Sequence, residues 1–491
     1  MRKKRSATKK VTKSTTKFLE LIEKYQEKVV EFCLTRACAG IFLDPGMGKS
    51  AIILLVFRIL KRRKLVHTLL IIAQNSVMDT TWNPEEPESE LNKWDEFKKF
   101  KAIKLHGSKK SKLIHEEADI FIMTPDGLKW FMQELKKDRS LKTKFDMLCV
   151  DESTKFKNHR KKTPNNTPTR FGRIIQLLGM FKRRYIMTGT PTSNHLHHLF
   201  SQIYILDEGR ALGRYITHFR HTYMIPGKEV YQWYPKPGAE DLIYERLKHT
   251  VIRMDREDYM KMSPIIYDNK VFDLPPKVRK IYDELEEDLI AQIENDTIVA
   301  RSAGTATMKL RQVANGGIYM KKGGKDPREL HLLKAELAKE LVEELNGKPA
   351  MVMFEFDHDL DRLRKVFGKN TPYVAGGNKR SHSIAEIQRR WNRGEMPVLL
   401  AQMTTVSHGI NLQAGGRAII WHSNTYDQEI YIQVRDRIWR KGQTKKVFIY
   451  HIMARNTVDF IMAANRKRKR NAEQNLLKLF KENYLKKRKA A

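Results

Sequence analysis

The chain has 491 residues, and 93 Lys and Arg against 57 Asp and Glu give it a formal net charge of +36. Its 41% hydrophobic content supplies cores for about two to four domains of roughly 100–200 residues, which excludes a wholly disordered chain. No apolar run nears the ~20 residues that span a bilayer. The basic N-terminus lacks the apolar stretch of a secretory signal, and three cysteines (Cys33, Cys38, Cys149) suit a reducing compartment rather than a disulfide or zinc framework.

The charge points to a polyanionic partner. Residues 1–17 carry eight Lys/Arg and no acid, residues 466–491 carry eleven against two, and +19 remains on the body between them. Basic tails alone would give loose, salt-sensitive phosphate binding. A basic body as well implies a folded surface that follows a nucleic-acid backbone. The basic segments show no Trp/Phe/Leu face of the membrane-surface kind.

In chain order, apolar β-type runs fall at Ala39–Leu43, Leu69–Ala73, Ile120–Met123, Met147–Val150 and Tyr185–Met187, with polar or helical stretches between them. This alternation predicts a parallel sheet covered by helices on both faces. Residues 158–170 are turn-rich and basic and predict an exposed loop. The stretch 207–345 reads as mostly helical, with three-to-four spacing over Lys277–Leu289 and His331–Leu345. Strand–helix alternation returns at Ala350–Phe354, Val398–Ala401, Ala418–Trp421 and Val447–His451. Two α/β lobes with a helical insert are the expected organisation.

Two motifs carry the chemistry. Gly40–Leu43 runs into Gly46-Met47-Gly48-Lys49-Ser50 and then an apolar helix. Glycines let backbone N–H groups close around phosphate, the helix N-terminus adds positive potential, Lys49 reaches the β/γ-phosphates, and the Ser50 hydroxyl can ligate Mg²⁺. Leu43 stands where the phosphate-loop pattern has its first glycine, so the loop is a variant. The second motif is Asp151-Glu152, two carboxylates at the carboxyl end of an apolar run. Open α/β sheets bind ligands at such ends. An Asp there can hold Mg²⁺, and the Glu can orient or deprotonate an attacking water.

With these motifs in place the chain resembles the Swi/Snf-type ATPases of helicase superfamily 2, and looks closest to their compact phage and prophage members. The resemblance covers roughly residues 18–465 and rests on ordered segments. Tyr25-Gln26 matches the family's adenine-recognising pair. DPGMGKS matches its phosphate loop, with Asp44 where Glu is usual. Trp82 and Glu85 match the Trp and acidic residue after the next strand, and Thr124 of IFIMTPDGL stands for a DNA-backbone contact. DESTKFKN matches the acidic box, with Thr154 where His is common. Thr188-Gly189-Thr190 matches the motif coupling nucleotide and DNA sites. LRQVANGG (Leu310–Gly317) matches a segment beside the insert, Gly409-Ile410-Asn411-Leu412 the fifth motif, and QVRDRIWRKGQ, with Gln433, Arg437, Arg440 and Gln443, the last. Arg437 and Arg440 share a helix face at i,i+3, from which arginines of a second lobe can stabilise phosphoryl transfer by ~10³–10⁵ in rate.

The resemblance implies two RecA-like parallel-sheet lobes of the P-loop NTPase class. The domains expected are a basic tail (1–17), an ATP-binding lobe (18–206), a helical insert and linker (207–345), a helicase lobe (346–465), and a basic tail or brace helix (466–491). Lys49, Asp151, Glu152, Arg437 and Arg440 are the expected catalytic residues, and Gln26, Asp44, Gly46, Met47, Gly48, Lys49 and Ser50 hold ATP. Ser50 and Asp151 hold Mg²⁺. Trp82, Thr124, Thr188, Gly189, Thr190, Gly409, Asn411 and Gln433 serve DNA contact or coupling. The expected activity is ATP-driven movement along duplex DNA, bound through its backbone without reading sequence, in a cytoplasm (the host's, if viral) or a nucleus. A strand-separating helicase and a nucleic-acid-binding regulator with little turnover are the alternatives. His195, His197 and His198 are read as a surface cluster rather than a metal site.

Overall fold

The computed structural model describes residues 17–192, 195–227, 233–294, 300–319, 327–376, 380–407, 410, 412–440 and 442–464. The basic tails, Gly409 and Asn411 lie outside the described residues, apart from Lys17.

Nine strands belong to the first half: β1 (Cys38–Leu43), β2 (Leu69–Ile72), β3 (Ala102–Lys104), β4 (Ile120–Met123), β5 (Met147–Asp151), β6 (Arg183–Thr188), β7 (Met224–Pro226), β8 (Trp233–Pro235) and β9 (Val251–Met254). Seven form one sheet in the order β3-β4-β2-β5-β6-β1-β9, every pair parallel. β7 and β8 form a separate antiparallel hairpin. The continuous apolar runs have a reason: both faces of the sheet are covered. Alternate residues serve opposite faces, so Leu70 and Ile72 enter one core while Leu69 and Ile71 enter the other.

The second half holds β10 (Ile265–Phe272), β11 (Gly317–Tyr319), β12 (Pro327–Glu329), β13 (Ala350–Phe354), β14 (Tyr373–Val374), β15 (Val398–Gln402), β16 (Ala418–Trp421) and β17 (Val447–Ala454). Six form a second parallel sheet, β10-β17-β16-β13-β15-β14. It too is sandwiched, with Met351 and Met353 facing one core and Ala350, Val352 and Phe354 the other.

The stretch 207–345 is not wholly a helical insert, and that expectation is corrected here. β9 completes the first sheet and β10 forms the edge of the second. β9 is an edge strand interrupted by Arg253, and edge strand β10 is half-exposed or exposed along its length, so neither offers the unbroken apolar run that marks a central strand. The helices Pro276–Glu294 and Ala300–Asn315 do lie in this stretch.

Candidate functional site

The strand order decides where the motifs meet. β1, β6 and β5 are adjacent and parallel, so the segments after their carboxyl ends converge on one edge. They are the phosphate loop after β1, Thr188-Gly189-Thr190 from the end of β6, and Asp151-Glu152 at the end of β5.

The loop is built for close approach. Gly46 and Gly48 have φ of 86° and 78°, a region that side chains rarely enter. A Cβ at Gly48 would run into Gln26 Nε2. The helix Lys49–Arg62 follows with residues 51–57 all buried. Behind the loop, the Tyr25 hydroxyl and Gln26 Nε2 donate to the Met47 carbonyl at 3.1 and 3.2 Å, while Gln26 Oε1 accepts from Glu23 N at 3.0 Å. Met47 thus enters the site through its backbone. Lys49 Nζ donates to the Leu43 carbonyl at 2.7 Å. Burial lowers its pKa, opposed by the charges of Glu152 and Asp151. Ser50 is half-buried in the first turn of the helix.

Asp44 does something the sequence did not suggest. Its carboxylate takes Arg253 NH2 at 2.7 Å and Arg256 N at 3.0 Å, so it ties the loop to the segment leaving β9. Gly189 packs on the loop directly: a Cβ there would stand 2.9 Å from Pro45 Cδ.

The carboxylates differ in their surroundings. Trp82 is fully buried and its Nε1 donates to Asp151 Oδ2 at 2.7 Å. Trp82 therefore supports the acidic box from within. Burial raises the Asp151 pKa, opposed by the Trp82 hydrogen bond and Lys49. Glu152 is held at φ 61°, a left-handed conformation uncommon outside glycine and often found at functional positions. Its Oε1 accepts from the Thr188 hydroxyl at 2.5 Å, and Thr154 Oγ1 lies 3.0 Å away. Burial raises its pKa, and the charge of Glu429 adds to this. Ser50 and Asp151 offer one hydroxyl and one carboxylate beside a phosphate loop, a hard-oxygen donor set that fits Mg²⁺.

The second lobe reaches this edge through the helix Gln428–Ile438 and the residues just after it. Arg440 stands over the phosphate loop, so that a Cβ added at Gly46 would lie 3.4 Å from Arg440 Nε. Arg437 is half-buried beside it, with NH2 donating to the Ser407 carbonyl at 2.5 Å and Nε lacking a hydrogen-bond partner among the described residues. Arg256 fastens the helix to the first lobe. Its NH2 meets Asp436 Oδ1 at 2.6 Å, its NH1 donates to the Trp439 carbonyl at 3.0 Å, and its guanidinium lies 3.9 Å from the Trp439 ring centroid. Gln433 is buried and donates to Glu429 Oε1 at 3.4 Å. Thr190 is buried, with its N–H donating to Thr188 Oγ1 at 3.1 Å. Thr124 lies apart, where its hydroxyl accepts from Gly127 N at 3.2 Å and caps a short helix.

Sequence reasoning missed Arg253, Arg256, Asp436 and Glu429. Asp436 and Glu429 could have been found as acids on the helix that carries Arg437; that helix ends at Ile438, so Arg440 lies beyond it and the expected shared helix face of the two arginines is corrected. His195, His197 and His198 pack ring against ring, and no group of three or more His, Cys, Asp or Glu that could hold a metal ion occurs among the described residues.

Two sandwiched parallel sheets, with a phosphate loop and acidic pair on one lobe and arginines delivered by the other, define a two-lobed P-loop ATPase of the helicase type. The chain belongs to the SNF2-related family, whose domain model matches residues 25–317, with a helicase conserved C-terminal domain over residues 333–442. It is similar to protein p41 of Acyrthosiphon pisum secondary endosymbiont phage 1, at 28% identity over 93% of this chain and 98% of that one. It is also similar to a Mycoplasma genitalium protein named uncharacterized ATP-dependent helicase MG018, at 25% identity over 89% of this chain but only 40% of that longer protein. A solved Sulfolobus solfataricus SWI2/SNF2 ATPase core in complex with dsDNA aligns at 21% identity and a TM-score of 0.41, over 93% of this chain and 96% of that one. No helix among the described residues is long and apolar enough to cross a membrane.

Proposed function

We propose that this SNF2-family motor hydrolyses ATP between its two lobes to move along double-stranded DNA, which it grips by the backbone without reading sequence. One observation carries the hydrolytic part: Arg440 of the second lobe stands over Gly46 of the first lobe's phosphate loop. The site therefore draws on both lobes, and their approach and separation can be tied to turnover.

In this reading the loop from Gly46 to Ser50 holds the ATP phosphates. Lys49 exchanges its loop carbonyl for β/γ-phosphate oxygens, and Glu152 orients the attacking water and takes its proton. Arg437 and Arg440 stabilise charge on the transferred phosphoryl group. Ser50 and Asp151 would hold Mg²⁺, which neutralises phosphate charge when bound. Trp82 keeps the Asp151 carboxylate aimed, and Thr188 does the same for Glu152. The +36 charge supports a polyanionic track, and the phage relative supports work in a host cytoplasm.

The test is ATP-driven displacement of a third strand from a triplex on linear duplex DNA, run beside an unwinding assay on a forked duplex. Triplex displacement without fork unwinding is the expected result. Fork unwinding without triplex displacement would replace translocation with strand separation.

A further inference from the structure

We propose that Glu429, on the second lobe, is a positioning residue that acts through the Thr154 hydroxyl to couple engagement of the lobes to Glu152. The inference rests on the reading above, in which Glu152 handles the attacking water.

The geometry is that of an acid placed for partners on the other lobe. Glu429, Gln433 and Arg437 follow at intervals of four on one helix, and so share a face. The Glu429 side chain is only 3% exposed. Within its own lobe it receives Gln433 Nε2, at a long 3.4 Å. Its closer partners lie across the interface: the Thr154 hydroxyl at 2.7 Å and Lys157 Nζ at 3.1 Å, with Lys155 Nζ at 3.7 Å. A buried carboxylate is costly unless paired, so Glu429 is satisfied when the lobes are engaged. Burial pushes its carboxyl up, but Lys157 and Lys155 hold it below the usual carboxylate range.

Thr154 is the shared element. A hydroxyl carries one proton and donates to one ionised carboxylate at a time. Thr154 Oγ1 lies 3.0 Å from Glu152 Oε1 and 2.7 Å from Glu429 Oε1. With the lobes engaged, the shorter bond and the lysine-held charge draw the proton to Glu429. Glu152 then keeps Thr188 as its hydroxyl donor. With the lobes apart, Thr154 turns its proton to Glu152, which two hydroxyls then hold down. Released from the Thr154 hydroxyl, the Glu152 carboxylate is oriented by the Thr188 hydroxyl alone, at 2.5 Å. Engagement of the second lobe thus readies the hydrolytic carboxylate through a hydroxyl rotation, while Arg437 arrives on the same helix and Arg440 just after its end.

A plain ion pair between Glu429 and the two lysines would leave Thr154 idle, and the test separates the two ideas. Duplex-stimulated ATP turnover is measured for Thr154→Val, Thr154→Ser, Glu429→Ala and the Thr154→Val/Glu429→Ala double variant. General-base steps contribute about 10²–10⁴ in rate, and disturbing the orientation of the base should remove part of that. The expected loss in kcat is about tenfold in each of Thr154→Val and Glu429→Ala, with the KM for ATP within about twofold of wild type. Thr154→Ser should restore kcat to within about twofold, and the double variant should be no slower than the slower single, since both act on one relay. Wild-type kcat in Thr154→Val, or a double loss equal to the product of the single losses, would overturn the proposal. So would a rise in KM alone, which would make Glu429 a grip rather than a relay. If Glu429→Ala fails to fold, the Val/Ser pair at Thr154 decides by itself. Turnover by wild type and its absence in Lys49→Ala would uphold the hydrolytic reading whatever these variants do.

Discussion

The ion pair between Arg256 and Asp436 holds the lobes together, and removing either end should open them. The side chains are 3% and 1% exposed and meet at 2.6 Å. Removing one partner of a buried pair costs about 3–5 kcal/mol, because the other charge is left uncompensated. Asp436→Asn strands two guanidiniums, since Asp436 Oδ1 also accepts from Arg435 Nε at 2.9 Å. It should carry that full cost. Arg256→Met leaves Asp436 served by Arg435 but also gives up the hydrogen bond to the Trp439 carbonyl and the contact with its ring, so its loss, one charged and one neutral hydrogen bond, is about 2–4.5 kcal/mol. Because the pair spans the lobes, the loss should appear first as opening. At 1.4 kcal/mol per decade, 3 kcal/mol shifts the closed-to-open ratio about a hundredfold. Solution X-ray scattering should show a larger radius of gyration for Asp436→Asn and for Arg256→Met than for wild type, and ATP turnover should fall in both. A radius of gyration and turnover unchanged from wild type in either variant would refute the assignment of this pair as the contact that closes the lobes.

Trp82→Phe keeps the buried ring but removes the 2.7 Å hydrogen bond to Asp151. The Mg²⁺ concentration for half-maximal turnover should rise about tenfold, as expected for loss of a hydrogen bond to a charged group, and a Mg²⁺ titration checks it. Gly189→Ala should weaken ATP binding, because its Cβ would press on Pro45 at 2.9 Å; equilibrium binding of a fluorescent ATP analogue reads the change. Stability should also depend on pH through two buried histidines of the second lobe. Burial, with Lys334 and Arg362, lowers the His331 pKa to about 4, and burial, partly offset by Asp359, lowers that of His422 to about 3. Below the unfolded value near 6.5 the unfolded chain binds protons that the folded one refuses, so stability falls with pH. The two together should remove about 2–3 kcal/mol between pH 8 and pH 5.5, which urea midpoints at the two values would register. Asp359, held below the carboxylate range against its burial by His358, His422 and Arg362, adds its loss only at lower pH, as the pH falls from about 3.9 toward its depressed folded pKa.

The central strands were legible because burial on both faces leaves an unbroken apolar run, as in Ile120–Met123 and Ala350–Phe354, both found at their expected bounds. β9 and β10 were not, since both are edge strands without that run: Arg253 interrupts β9, and β10 carries Asp268, Asn269 and Lys270. The phosphate loop and acidic pair were readable as local spacing with a chemical meaning. Glu429, Arg253 and Arg256 were not, because their roles arise from partners up to 275 residues away in sequence. Trp82 was readable as part of a motif, but its direction was not. Only the placement of the segment after β2 beside the end of β5 turns its indole N–H onto Asp151.

The most direct test of the motor itself is steady-state ATP hydrolysis by wild type and Lys49→Ala, each without nucleic acid and with single-stranded DNA, duplex DNA or RNA. The account predicts strong stimulation of wild type by duplex DNA and none of Lys49→Ala. Hydrolysis by Lys49→Ala at the wild-type rate, or stimulation of wild type by single strands or RNA but not by duplex, would contradict it.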